Sequence, residues 1–217
     1  MVPFGAILII ISSCYPNDGT VYPSSLDIVL TLYDEDVDFK QFKRYALPDS
    51  IVDIGDPSDS DYVEVTDKFD DDILAKVKSN LDALGYTQEF DPENNGADLF
   101  IFVSKVASKN YQVYTYPWWG YYGWYPGWGY YPGYGQGYNP WYPWGGSTVV
   151  YTYTTGSIII DMLDPEKNDD VNKTIGEVWR AGINGQIDSG SSDQAIRDRL
   201  NKNIDQAFDQ SQYLKTN

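Results

Sequence analysis

The sequence contains no histidine and a single cysteine. The first absence removes Ser-His-Asp and Cys-His catalysis, histidine-ligated zinc and the usual acid–base group near neutral pH. The second forbids an intrachain disulfide and any cysteine-held metal. Cations are also scarce: 15 Lys and Arg stand against 32 Asp and Glu, for a net charge of −17. Nucleic acid is therefore excluded as a partner, because phosphate binding needs a basic footprint. Electrostatic attachment to an anionic membrane surface is disfavoured for the same reason.

What the chain does have is distributed unevenly. No Asp, Glu, Lys or Arg occurs between Lys109 and Asp161, although 22% of the whole is charged. Within that gap, residues 111–153 form an aromatic, Gly- and Pro-rich stretch that holds six of the seven tryptophans: Trp118, Trp119, Trp124, Trp128, Trp141 and Trp144. Much of the acid lies between Asp34 and Asp72. That stretch reads as a solvated loop, with a weak divalent-cation site as the alternative.

The N-terminus supplies a location. An apolar run through Ile7-Leu8-Ile9-Ile10-Ile11 is followed by Ser12-Ser13-Cys14. It is too short to cross a bilayer, which takes about 20 apolar residues, but suits a secretion signal. Ile11-Ser12-Ser13-Cys14 resembles the lipobox of bacterial lipoproteins, in which the signal is removed before the cysteine and the cysteine is acylated. A buried strand with a structural cysteine is the other reading. The expected organisation is a signal peptide at 1–13, a Pro/Ser/Asn/Gly tether at 14–25 and one domain at 26–217, carrying the aromatic insertion at about 111–153.

Inside that domain the periodicities are clear. Phe69, Ile73, Leu74, Val77, Leu81 and Leu84 form one helical stripe, with Thr66 or Asp67 as its cap, Asp70 to Asp72 at the positive end of the dipole and Gly85 as its stop. Ile196, Leu200, Ile204, Ala207 and Phe208 form a second stripe behind a Ser192 or Asp193 cap. Strands are expected at Leu26–Tyr33, Tyr45–Leu47, Ala97–Val103, Thr148–Thr154, Gly156–Leu163 and Thr174–Ile183. The runs Ala97–Val103 and Ile158–Leu163 are apolar on both faces, as central strands are. The strands flanking the aromatic segment form a long hairpin with that segment at its tip. The segment from Asp164 to Asp170 imitates the start of a calcium loop, but it lacks the required Gly and Glu and reads as a turn. The fold is α+β: an antiparallel sheet of about five or six strands with two helices on one face.

The succession Asp38–Ala46, Leu84-Gly85-Tyr86, Ala97-Asp98-Leu99, Gly156–Asp164 and Val178-Trp179-Arg180 resembles a bacterial lipoprotein family, common in Bacteroidota, known only as domain of unknown function 4136. The resemblance covers Tyr33 to Phe208. It implies an envelope lipoprotein with no established activity.

The expected function follows from these pieces. The protein is an outer-membrane lipoprotein held by lipidated Cys14, facing the periplasm or the cell surface, with a structural or binding role, no cofactor and no metal. The tryptophans offer a stacking surface for glycan, peptidoglycan or another envelope protein. Alternatively, the segment covers the sheet or is disordered. A carboxylate-dependent hydrolase using Asp98, Asp161 or Asp164 is the remaining alternative, and an Asp at such a position more often ends a strand or pairs with Arg180.

Overall fold

The computed structural model describes residues 27–54, 60, 62–107, 111–112, 139–141, 152–153, 156–169, 174–184, 187 and 191–216. The segments expected as signal and tether, and nearly all of the aromatic insertion, lie outside them. The strands are β1 (Val29–Tyr33), β2 (Arg44–Ala46), β3 (Val52–Ile54), β4 (Thr87–Gln88), β5 (Leu99–Val106), β6 (Tyr111–Gln112), β7 (Asn139–Trp141), β8 (Thr152–Tyr153), β9 (Ile158–Asp169) and β10 (Thr174–Ile183). The helices are α1 (Asp70–Ala83), the single turn α2 (Pro92–Asn95) and α3 (Asp193–Asp209).

The main sheet runs in the order β1-β10-β9-β5-β2-β4, with β3 also on β5 and β7 on β10. The α+β class expected from the sequence holds. Along β1, β10, β9 and β5 each neighbouring pair is antiparallel. The short flanking strands differ from the expectation: β2 and β3 pair parallel with one edge of β5, β4 pairs parallel with β2, and β7 pairs parallel with β10. Two- and three-residue pairings of this kind are set by where connections return the chain, and side-chain periodicity carries no trace of that.

Both long helices lie on one face. Leu99, Ile101 and Val103 of β5, Ile158, Ile160 and Met162 of β9, and Trp179, Ala181 and Ile183 of β10 join Ile73, Val77 and Leu81 of α1 and Leu200, Ile204 and Phe208 of α3 in one apolar core. Trp179 is fully buried against Phe208, and its indole N–H donates to Ser211 Oγ at 2.9 Å. Satisfying that donor is what allows so large a polar-edged ring into the interior.

The helix ends are instructive. After α1, Gly85 adopts φ 97°, Gly85 N–H donates to Asp82 O and Tyr86 N–H to Leu81 O. This is a Schellman closure, which needs the left-handed residue that Gly supplies. Ser192 caps α3 by accepting from the Ala195 amide. At the start of α1 the expected caps are not used: Phe69 holds the cap position, with no side-chain hydrogen bond.

The turn expected at Asp164–Asp170 is instead the continuation of β9 to Asp169. Thr174 pairs with Asp169 and Gly176 with Asp164, so β9 carries extra residues as a wide bulge. A bulge accommodates Pro165, which a regular ladder would exclude. A second bulge sits on β10, where Glu177 faces Leu163 and Trp179 faces Met162.

Candidate functional site

The bulge between Glu177 and Trp179 decides how the charged residues of β10 are displayed. In a regular strand, residues three apart point to opposite faces. The inserted Val178 cancels one alternation: Val178 and Trp179 both enter the helix-covered core, while Glu177 and Arg180 come together. Arg180 Nε donates to Asp161 Oδ1 at 2.6 Å across the β9–β10 ladder and lies 3.0 Å from Glu177 Oε1. All three side chains are buried. A planar guanidinium between two carboxylates is a geometry that favours Arg over Lys.

Close by, the β9 bulge folds over β10. A Cβ at Gly176 would fall 2.2 Å from Lys167 Cβ and 3.1 Å from Asp164 O, so the crossing requires a residue without a side chain. The crossing carries Lys167 to Asp34, whose buried carboxylate meets Lys167 Nζ at 2.5 Å and also accepts from the Asp36 amide. Asp164 is buried inside the bulge, where it accepts from the Glu166 amide at 2.9 Å. Burial pushes its carboxyl up; the charges of Glu166 and Asp98 add to this, while the Glu166 amide and Lys167 oppose it.

A second charged centre lies near the start of α1. Lys105 sits in an apolar strand with its side chain 0% exposed. Its ammonium donates to Asp67 Oδ1 at 2.7 Å, Asp70 Oδ1 at 2.9 Å and Thr66 O at 3.2 Å, with Asp53 Oδ1 at 3.5 Å. Burial alone would lower its pKa, but its hydrogen bonds to Asp67 and Asp70 and the charges of Asp53 and Asp70 outweigh this and hold it above the ordinary lysine value. Burial raises Asp53 and Asp70, with Lys105 pulling both back down. Part of the acidic stretch expected to be a solvated loop is therefore folded around an internal cation. Thr66 and Asp67, expected as helix caps, serve this centre, and Asp70 binds Lys105 in addition to lying in the first turn of α1.

The three carboxylates singled out for hydrolysis each have a structural partner. Asp161 pairs with Arg180, as expected. Asp98 ends a strand: its Oδ2 accepts from the Lys43 and Arg44 amides at 2.7 and 2.8 Å and ties the start of β5 to β2. Asp164 belongs to the bulge. Of the tryptophans, Trp141 falls on β7 by its backbone; Trp118, Trp119, Trp124, Trp128 and Trp144, like Cys14, lie outside the described residues. The sequence reading missed Lys105 and Glu177. Lys105 had a signal, a lone cation inside an otherwise apolar strand with an excess of aspartates nearby; Glu177 had none, because the bulge that exposes its role is invisible to periodicity.

The model of a family described as "Domain of unknown function (DUF4136)" matches residues 29–211. The chain belongs to the DUF4136 family. A crystal structure of a DUF4136 family protein from Bacteroides thetaiotaomicron VPI-5482 is similar to it at 31% identity and a TM-score of 0.61, covering 88% of this chain and 98% of that one. A PelC dodecamer from Paraburkholderia phytofirmans matches at 9% identity and a TM-score of 0.35, over 88% of this chain and 100% of that one. No curated protein matches the chain. The DUF4136 match begins at the first residue of β1 and ends just after α3, so both charged centres fall inside the family's domain.

Proposed function

We propose that this DUF4136 protein is a cell-envelope lipoprotein, attached to the outer membrane through acylated Cys14 and facing the periplasm or the surface. Its role is structural or binding rather than catalytic, and the aromatic segment is its docking surface for glycan, peptidoglycan or another envelope protein. Two acyl chains anchor stably where one does not, at about 0.8 kcal/mol per buried CH₂. The observation that carries the docking role is how the segment is framed. β5 and β9 pair antiparallel from Phe100 to Lys105, Tyr111–Gln112 pairs with Thr152–Tyr153, and Asn139–Trp141 runs along the start of β10. An uncharged run of Trp, Tyr, Gly and Pro thus has its two ends paired with each other and one stretch between them paired with the main sheet. Indole and phenol rings have flat faces that stack on sugar rings and dry protein surfaces.

A second reading has its own support. Phe100, Ile159 and Leu163 are buried but stand outside the core that α1 and α3 cover. On that reading the aromatic segment serves the domain itself, as a cover for the second face of the sheet.

Tryptophan emission of the full acylated chain in detergent, titrated with muropeptide fragments and a glycan panel, separates the two. A saturable shift with one ligand class, lost on replacing Trp118 and Trp119 or Trp141 and Trp144 by Ala, supports docking. A spectrum unmoved by every ligand discards it. Membrane fractionation of Cys14→Ala tests the anchor: release into the soluble fraction is expected, and retention overturns it.

A further inference from the structure

β1 is the outermost strand on its side of the main sheet and pairs only with β10 among the described residues. Its hydrogen bonds fix which amides are used. Asn184 N–H donates to Ile28 O at one end, and Asp34 N–H donates to Val178 O at the other. Alternate residues bond the same neighbour in an antiparallel pair, so Ile28, Leu30, Leu32 and Asp34 face β10. The N–H and C=O groups of Val29, Thr31 and Tyr33 point the other way, and nothing among the described residues bonds them. Every residue of β1 is half-buried, and Ile28, which continues its line, is 61% exposed.

Natural sheets guard such an edge with Lys, Pro, a bulge or a covering helix. Val29-Leu30-Thr31-Leu32-Tyr33 has no charge and no proline, and its register with β10 is unbroken. The nearby charges sit at its ends. At the start, Asp27 is bound by Arg199 and Asn203. Past Tyr33, Glu35, Asp36 and Asp38 are exposed, with only Asp34 of that turn neutralised by Lys167.

We propose that the outer edge of β1 accepts an extended segment of a partner protein as an added strand. Main-chain bonds to Val29, Thr31 and Tyr33 supply the affinity, and the partner carries apolar residues at alternate positions with Lys or Arg at the end that meets Glu35, Asp36 and Asp38. A second copy of the chain fits poorly. Self-association would bring together two molecules of −17 each.

The probe is a seven-residue peptide, Lys-Val-Thr-Val-Thr-Val-Lys, compared with its Glu-ended counterpart and with a version N-methylated at alternate amides. Amide hydrogen exchange of the full chain is the readout. The Lys-ended peptide is expected to slow exchange at Val29, Thr31 and Tyr33 while leaving Leu30 and Leu32, already in the ladder, unchanged. The Glu-ended peptide is expected to bind about tenfold more weakly, equivalent to about 1.4 kcal/mol. Thr31→Pro removes one outward donor at a position where the β10 ladder uses none, so it abolishes the protection while the fold persists. Should that variant fail to fold, the N-methylated peptide, blocked on its own side, makes the same test. Three results would overturn the proposal. One is protection of these three amides in the free chain at every protein concentration. Another is protection that grows with protein concentration alone, which assigns the edge to a second copy. The last is equal binding of the Lys-ended, Glu-ended and N-methylated peptides.

Discussion

The sheet buries one cation toward each of its faces, and the two are held in different ways. Arg180 is satisfied from inside the sheet: Asp161 is its cross-strand neighbour and Glu177 reaches it through a bulge in its own strand. Lys105 gathers its partners from three separate places: β3, the turn before α1 and the first turn of α1 itself. A guanidinium is planar and forked, so two carboxylates fixed by ladder geometry match it. An ammonium is a point charge with rotatable donors and tolerates ligands from elements that merely converge. The comparison teaches that the Arg180 group belongs to the sheet as such, whereas the Lys105 group is a fastening between the sheet and what lies on it.

This contrast predicts a ranking of effects. Arg180→Met leaves Asp161 and Glu177 buried without their cation and is expected to cost about 3–5 kcal/mol in urea unfolding at neutral pH. Arg180→Lys should recover only part of it, because one ammonium cannot copy the fork. Equal stability of the Met and Lys variants would show that only packing matters there.

Lys105→Met is expected to cost about 2–4 kcal/mol at pH 7 and to differ in its pH dependence. Burial already raises Asp53 and Asp70 in the folded protein. A carboxyl raised on folding contributes stability that is present below its unfolded value, the ordinary 3.8 for aspartate, and lost as pH rises through the folded value. Removing the ammonium raises both groups further, so the loss in Lys105→Met should shrink steadily from pH 7 to pH 4. Urea midpoints measured over that range check it; a pH-independent loss would mean that the cage is not electrostatic.

Gly176→Ala forces the β9 bulge away from β10, because the new methyl would meet Lys167 Cβ and Asp164 O. Overpacking of this kind costs about 1–3 kcal/mol, read as a lowered melting temperature together with loss of the Lys167–Asp34 pair. Tyr86→Phe removes the hydroxyl that donates to Leu214 O at 2.7 Å and should cost about 1 kcal/mol. Smallest is Lys78→Ala: its pair with Asp82 is 41% and 44% exposed and is expected to contribute about 0.5 kcal/mol or less, vanishing in molar salt.

The same contrast explains what could be read from the sequence. α1 and α3 were legible because their apolar stripes repeat at helical spacing, and Gly85 and Ser192 mark real ends. β5 and β9 were legible as apolar on both faces, and β10 as the last strand. Asp161 with Arg180 could be paired on chemistry alone. The bulges escaped, since Pro165 and the acidic run after it carry the composition of a turn and Val178 looks like any other strand residue. The Lys105 cage escaped because its partners are 35 to 52 positions away in the chain and meet only after β3 and α1 have docked. The parallel pairings of β2, β3, β4 and β7 depend on chain return, for which period-two patterning has no sign.

The clamp of Asp27 by Arg199 and Asn203 determines where mechanical load enters the molecule. Any pull on the chain ahead of Asp27 reaches α3 through that ion pair before it reaches β1. If the clamp yields, a pull directed along β1 loads its bonds to β10 in shear, so that they fail together rather than open one at a time. Loaded in that direction, the edge strand is held by all of its bonds at once.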